Sequence, residues 1–346
     1  MDKHFEIKLS DLMRICHELV QNGQAYVAIV ICHEYFRYLF PVEPYEKFIN
    51  TDPYRHTLKK MDELMALGRM WRTQVKAYKP DYTRAKSPRG KETLESKTSQ
   101  LYSGLWRQFD KKTIWNESVE LVRKRLPAEI IDRAIRGKKV LDMGCGSGRY
   151  TLALARLGAR EVVGVDLSSQ SYAGAQELVN SKRLAVRFVE SNFHRLPFKT
   201  GEFDFVFCNG TLHHSSSIDK GLSELFRVLK SPGESFLYLY ADGGVFWHSR
   251  REMRKLFKNI PAEYTESVMR VISLPSHRFI FQDVWYVPQE THTSRVQLEK
   301  MLEKRGFRHT KLFSTNAFDL DRAIAAQVKD AVLMWGDGEH RYLLNK

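Results

Sequence analysis

The chain has 346 residues, 43% of them hydrophobic, and a net charge of +14, enough for two domains or one domain with large additions. Its four dispersed cysteines, Cys16, Cys32, Cys145 and Cys208, form no Cys-x-x-Cys pair, so neither a zinc site nor a disulfide framework is expected. Apolar runs such as Tyr26 to Cys32 are too short to span a bilayer and the N-terminus mixes charges, so a soluble, cytoplasmic protein without a signal peptide is expected.

Residues 1–80 read as helical. Ser10 is placed to cap a helix carrying Leu12, Ile15, Cys16 and Leu19, stopped at Gly23. The apolar run 24–40 reads as a buried helix by its length, ending at Pro41. Asp52-Pro53 is a cap followed by proline at the first helical position, opening a long helix with Leu58, Met61, Leu64 and Met65. Residues 80–98, polar with proline and glycine, are the best linker, dividing an N-terminal helical region (1–98) from the rest (99–346). A helical pair follows at 99–110 and 114–136, with aromatic residues at helical spacing from Tyr102 to Phe109.

From residue 138 the pattern alternates strand and helix. Strands are expected at 139–142, 161–165, 185–189, 203–208 and 235–240, and helices at 148–157, 169–180 and 218–229. That alternation predicts an α/β fold, a parallel sheet with helices on both faces. A helical insertion is expected at 244–275 and a helix at 294–305, with strands near 309–314 and 340–345. The insertion carries the one dense basic cluster, Arg250, Arg251, Arg254, Lys255 and Lys258. Its spacing reads first as a solvated helix face and second as a site for an anionic substrate.

The chemistry sits after the first of these strands. Val140 and Leu141 lead through Asp142 into a loop with Gly144, Gly146 and Gly148, and a second strand ends on Asp166. Glycine lets a ligand approach the backbone, and the acid is placed to accept from a ribose diol. Dinucleotide loops use Gly-x-Gly-x-x-Gly, but here the spacing is Gly-x-Gly-x-Gly and Arg149 takes the last glycine's place. Asp142 would repel a pyrophosphate and suits a cation such as S-adenosylmethionine. A plain tight turn is the alternative.

Four segments in order then match a known pattern: Val-Leu-Asp-Met-Gly-Cys-Gly-Ser-Gly, Val-Gly-Val-Asp-Leu-Ser, Phe-Asp-Phe-Val-Phe-Cys-Asn-Gly-Thr-Leu-His-His, and Arg-Val-Leu-Lys-Ser-Pro-Gly-Glu. Together they resemble class I S-adenosylmethionine-dependent methyltransferases, over about residues 100–345. The resemblance implies a Rossmann-like seven-stranded sheet with one antiparallel strand, and S-adenosyl-L-methionine as cofactor. It implies that Gly144, Cys145, Gly146 and Gly148 floor the methionine part, that Asp142 holds the ammonium through water, and that Asp166 holds the ribose. Leu167 and Phe193 would pack on the adenine, and Asn192, where the family usually has aspartate, would accept its amino group. Asn209, His213 and His214 would rim the pocket, with either histidine a candidate general base.

Trp247, Arg250, Trp285, Tyr286 and His292 are the candidate acceptor contacts, the last three on a substrate-facing loop and the insertion forming a lid. The expected reaction is in-line methyl transfer to a small metabolite, neutral or anionic. Two other readings stand beside it: a methyltransferase acting on RNA or protein through a basic surface, and a non-catalytic cofactor-binding scaffold. The N-terminal region suits a lid, a docking module or a homodimerisation arm.

Overall fold

The computed structural model describes residues 2–39, 51–77, 93–106, 111–273, 275–312 and 320–346. The chain forms two compact units, each assembled from separated stretches. One comprises Met1–Lys91, Asp242–Val287 and Asn316–Gly338; the other comprises Glu92–Ala241, Pro288–Thr315 and Glu339–Lys346. The linear division expected at residue 98 therefore differs from the spatial one. Most of the expected linker and the end of the aromatic stretch, including Phe109, lie outside the described residues.

The first unit is helical. Its first helix is Lys3–Gln21, capped by Asp2, whose carboxylate accepts from the His4 N–H at 2.8 Å. It begins a full turn and more before Ser10, because Phe5 and Leu9 continue the apolar stripe and are buried with Leu12 and Leu19. The run after Gly23 is the helix Ala25–Leu39. Asp52 caps the helix Pro53–Gln74 as expected, accepting from the Arg55 N–H at 2.9 Å. The expected insertion, 244–275, forms the helices Gly244–Phe257 and Ala262–Ile272, and a third helix, Pro275–Tyr286, follows at its expected end. They group with the N-terminal helices because their apolar faces meet there: Phe36 and Phe246 have ring centroids 5.8 Å apart, and the Tyr35 and Ser249 hydroxyls are 3.0 Å apart.

The second unit holds a seven-stranded sheet. Its strands are β1 (Lys139–Met143), β2 (Glu161–Asp166), β3 (Val186–Glu190), β4 (Phe203–Asn209), β5 (Leu229–Tyr240), β6 (Arg308–Lys311) and β7 (Glu339–Asn345). Their order is β3-β2-β1-β4-β5-β7-β6, with β7 antiparallel to both neighbours and the other pairs parallel. The central strands are almost uninterruptedly apolar because both faces are covered. Val140, Val162 and Phe205 point into one core with Tyr150 and Leu154 of the helix Arg149–Arg156. Leu141, Val163 and Val206 point into the other with Leu222 and Leu225 of the helix Ile218–Val228.

The chain leaves β1 toward β2 and β3, then returns to β4 on the other side. Strand order reverses between β1 and β4, and in open α/β sheets ligands bind beyond the carboxyl ends of strands at that point. Among the described residues, no helix is long and apolar enough to cross a membrane.

Candidate cofactor site

The turn after β1 is fixed by its backbone. The Gly144 and Cys145 N–H groups both donate to the Val165 carbonyl at 2.8 Å, tying the loop to the end of β2. Gly144 has φ +81°, and a Cβ added there would lie 2.1 Å from the Thr211 methyl, so the loop after β4 closes against it. Gly148, at φ +75°, occupies the cap position of the helix Arg149–Arg156. Gly146 is also left-handed, at φ +51°, so a left-handed conformation at all three positions explains this glycine spacing.

Two carboxylates flank the loop. Asp142 is 1% exposed, and burial pushes its carboxyl up to about 7. The Thr151 hydroxyl, donating at 2.6 Å, opposes that rise, and Asp166 adds to it. Asp166 accepts from the Gly146 N–H at 2.9 Å and weakly from the Ser168 N–H at 3.4 Å. Desolvation pushes Asp166 up to about 6, against the pull of those backbone donors. Two acids held above the usual carboxylate range favour a cationic ligand, which would restore their charge. Cys145 is buried, and desolvation raises its thiol well above the ordinary value.

Beyond the carboxyl ends of β2 and β3 lies a cavity of about 620 Å³. Leu167, Ser168 and Gln170 line it after β2, and Asn192 and His194 after β3. The helix Leu94–Trp106 forms another part of its wall. The Asn192 side-chain oxygen accepts from the His194 N–H at 2.8 Å, and a carbonyl oxygen retains a second lone pair for a ligand. This mostly neutral hydrogen-bonding lining fits an adenosine, and the two carboxylates nearby along the sheet edge fit a positively charged tail. Phe193, expected against the adenine, is 6% exposed and packs into the core with Leu196 and Val206.

At the end of β4 the Asn209 side-chain oxygen accepts from the Arg125 guanidinium at 2.6 Å. His213 is fully buried; its Nδ1 accepts from the Tyr240 N–H at 3.2 Å and its ring stacks on Tyr240 at 3.6 Å. His214 is 8% exposed. Its Nδ1 lies 3.1 Å from the Gln289 carbonyl and its Nε2 2.8 Å from the Tyr102 hydroxyl. A carbonyl can only accept, so Nδ1 carries the proton and Nε2 receives the tyrosine hydroxyl. Arg125, Tyr102 and Gln289 went unsingled by motif. Only the aromatic spacing around Tyr102 hinted at one of them.

His292 belongs to the same unit, with Nδ1 2.7 Å from the Ala241 carbonyl and Nε2 2.7 Å from a Glu290 carboxylate oxygen. The other four acceptor candidates belong to the helical unit and pack its interior. Trp247 donates to the Gly338 carbonyl at 3.1 Å, and Arg250, 3% exposed, lies 5.5 Å from the Trp247 ring. Trp285 stacks on Phe257 at 3.9 Å, and the Tyr286 hydroxyl donates to the Ile260 carbonyl at 2.9 Å. Trp285 and Tyr286 end a helix rather than sitting on a loop, because Phe281, Val284 and Trp285 form a continuous apolar face.

The basic cluster is not a single solvated face either. Arg254 donates to the Val284 and Val287 carbonyls, at 3.0 and 2.6 Å, and Arg251 pairs with Asp242 at 2.5 Å. Lys255 and Lys258 are exposed. Buried Arg250 completes a split that helical spacing alone did not reveal.

Comparison with known proteins agrees with this geometry. A family model described as a methyltransferase domain matches residues 141–237, from β1 into β5. A tRNA U34 carboxymethyltransferase of Campylobacter hominis is 34% identical over 110 residues, covering 32% of this chain and 39% of its own length. A malonyl-[acyl-carrier protein] O-methyltransferase of Legionella pneumophila is 33% identical over 130 residues, 36% of this chain and 45% of its own. The chain thus spans less than half the length of these two relatives. A demethylmenaquinone methyltransferase of Lactiplantibacillus plantarum is 30% identical over 177 residues, 49% of this chain and 70% of its own length. With that coverage, and with the glycine loop and β3-β2-β1-β4-β5-β7-β6 sheet described above, the chain belongs to the class I S-adenosylmethionine-dependent methyltransferases.

Proposed function

We propose that this protein binds S-adenosyl-L-methionine and transfers its methyl group to a small-molecule acceptor. The observation that carries the reading is the pairing of Asp142 and Asp166, two largely desolvated acids, around a glycine loop whose Gly146 N–H is held by Asp166. The bound cofactor supplies a methyl group on a positively charged sulfur, already activated for displacement. The chain then has to align the acceptor and exclude water, and such orientation contributes up to about 7–11 kcal/mol.

Leu167, Ser168 and Asn192 hold the adenosine, and Asp166 turns to its ribose hydroxyls. Asp142 and the loop backbone face the charged amino-acid end. For an acceptor that must lose a proton, His214 is the base, because Nε2 carries the lone pair. The acceptor proton passes to the Tyr102 oxygen as the Tyr102 proton passes to Nε2. His213 is a structural residue in this reading, since its Nδ1 already serves the Tyr240 N–H.

A small acceptor is supported by the enclosure of this cluster: His213, His214 and Tyr240 are all under one-tenth exposed. An RNA acceptor is the second reading, favoured by the net charge of +14 and the tRNA-modifying relative. The test is incubation with methyl-labelled cofactor and separate small-molecule, RNA and protein fractions. Label in the small-molecule fraction supports the first reading. Label in RNA alone establishes the second, and label in protein alone excludes both.

A further inference from the structure

The family match begins at residue 141, whereas the cavity is also walled by a helix that lies well before it, Leu94–Trp106. From this helix Ser96, Ser99, Gln100 and Ser103 line the cavity. Their spacing, i, i+3, i+4 and i+7, puts them on one face of the helix. Along this row Ser103 is buried, Ser96 and Ser99 are half-buried and Gln100 is exposed, so the polar face runs from the packed side of the helix out to the mouth of the cavity, where a ligand can reach Ser96 and Gln100. Serine hydroxyls and the glutamine amide each donate and accept. His194 is the sole ionisable residue lining the cavity among the described residues. The wall therefore suits a neutral ligand rich in donors and acceptors, which describes the purine and ribose rather than the charged amino-acid end.

The helix is also tied down beside that cavity. The Ser103 and Ser171 hydroxyls, both buried, are 2.9 Å apart, joining the helix to the segment that follows the ribose-binding acid. One residue earlier, Tyr102 reaches His214 after β4. Two neighbouring residues thus fasten one helix to segments following two different strands of the sheet.

Building on the reading that the chain holds S-adenosylmethionine, we propose that helix Leu94–Trp106 is an adenosine-recognising wall of the cofactor site. Ser96 and Gln100 are its contact residues, and Ser103 is a positioning residue acting through Ser171.

The test is calorimetric titration of the full chain with S-adenosylhomocysteine and, separately, with adenosine. The proteins are wild type, the double variant Ser96→Ala/Gln100→Ala, and Lys97→Ala as a control on an exposed position off the row. Each lost hydrogen bond weakens binding by roughly 2- to 10-fold. The double variant is therefore expected to bind both ligands about tenfold or more weakly, with Lys97→Ala within twofold of wild type and melting temperatures alike. If the double variant does not fold, Gln100→Ala alone carries the test, with a loss of at least twofold expected. Wild type that binds while the variant binds equally well overturns the inference. A loss for S-adenosylhomocysteine without one for adenosine also overturns it, since the helix would then serve the amino-acid end. Wild type that binds neither ligand removes the cofactor reading itself, a separate failure.

Discussion

The Thr151 hydroxyl donates to the Asp142 carboxylate across 2.6 Å, linking the first helix after the glycine loop to the strand before it. That bond, together with the Thr151 backbone N–H and the nearby charge of Arg149, offsets part of the cost of near-complete burial, but not enough to keep the acid at its ordinary value of 3.8.

A pH-dependent stability follows. Below pH 3.8 the acid is protonated in both folded and unfolded chains. As pH rises the unfolded chain ionises first, while the folded one keeps its proton until about pH 7. Asp142 therefore costs stability progressively across that window, up to about 4 kcal/mol at pH 8. Asp142→Asn, which still accepts from Thr151, is expected to melt higher than wild type at pH 8 and to match it near pH 4. Equal melting differences at both pH values would contradict this.

Cofactor affinity should run the other way. A cation prefers both acids charged, so wild-type affinity for S-adenosylmethionine is expected to rise between pH 5.5 and 8, with proton uptake by buffer on binding. Titration in buffers of different ionisation enthalpy measures that proton directly. Asp142→Asn should weaken binding and remove the part of the pH dependence near pH 7, leaving the part near pH 6 that Asp166 contributes beside Arg149.

Asp166→Ala removes both the acceptor of the Gly146 N–H and the expected ribose contact. Binding of S-adenosylhomocysteine should weaken at least tenfold, as for loss of hydrogen bonds to a charged group, with little change in circular dichroism. Retained affinity would mean that the ribose lies elsewhere.

Gly144→Ala tests the turn. A side chain at φ +81° costs about 1–2 kcal/mol, and the collision with Thr211 adds to it. The melting temperature should fall by several degrees. Adding Thr211→Gly should recover part of that loss but not the backbone component, measured as a non-additive double-mutant cycle.

His213→Ala and His214→Ala should part company. His213 stacks on Tyr240 and satisfies its N–H, so its loss is expected to destabilise by roughly 2–4 kcal/mol. Loss of His214 should reduce methyl transfer to a proton-losing acceptor by about 10²–10⁴-fold, while S-adenosylhomocysteine binding falls far less because the Ser103–Ser171 tie still holds the helix. Chemical denaturation and calorimetry separate the two.

Much of the sheet was readable beforehand for a simple reason. Val140 and Leu141, or Phe205 and Val206, belong to runs covered on both faces, and such runs stay apolar whatever surrounds them. The glycines at 144 and 148 were readable because left-handed backbone excludes most other residues. The start of the first helix was misplaced at Ser10 because a serine that can cap need not do so when Phe5 and Leu9 extend the buried stripe. The basic cluster misled for a related reason: helical spacing says which residues share a face, not which face is covered.

Sequence alone thus determined the strand–loop–helix unit, the acids at 142 and 166 and the family, since local backbone geometry and continuous burial restrict residue type at each position. Tertiary structure alone decided that the 244–286 helices join the N-terminal ones, that His214 rather than His213 keeps a lone pair directed at a tyrosine, and that Ser96 and Gln100 face a cavity. Those facts depend on which side chains meet across long stretches of chain, and a linear pattern carries no term for that encounter.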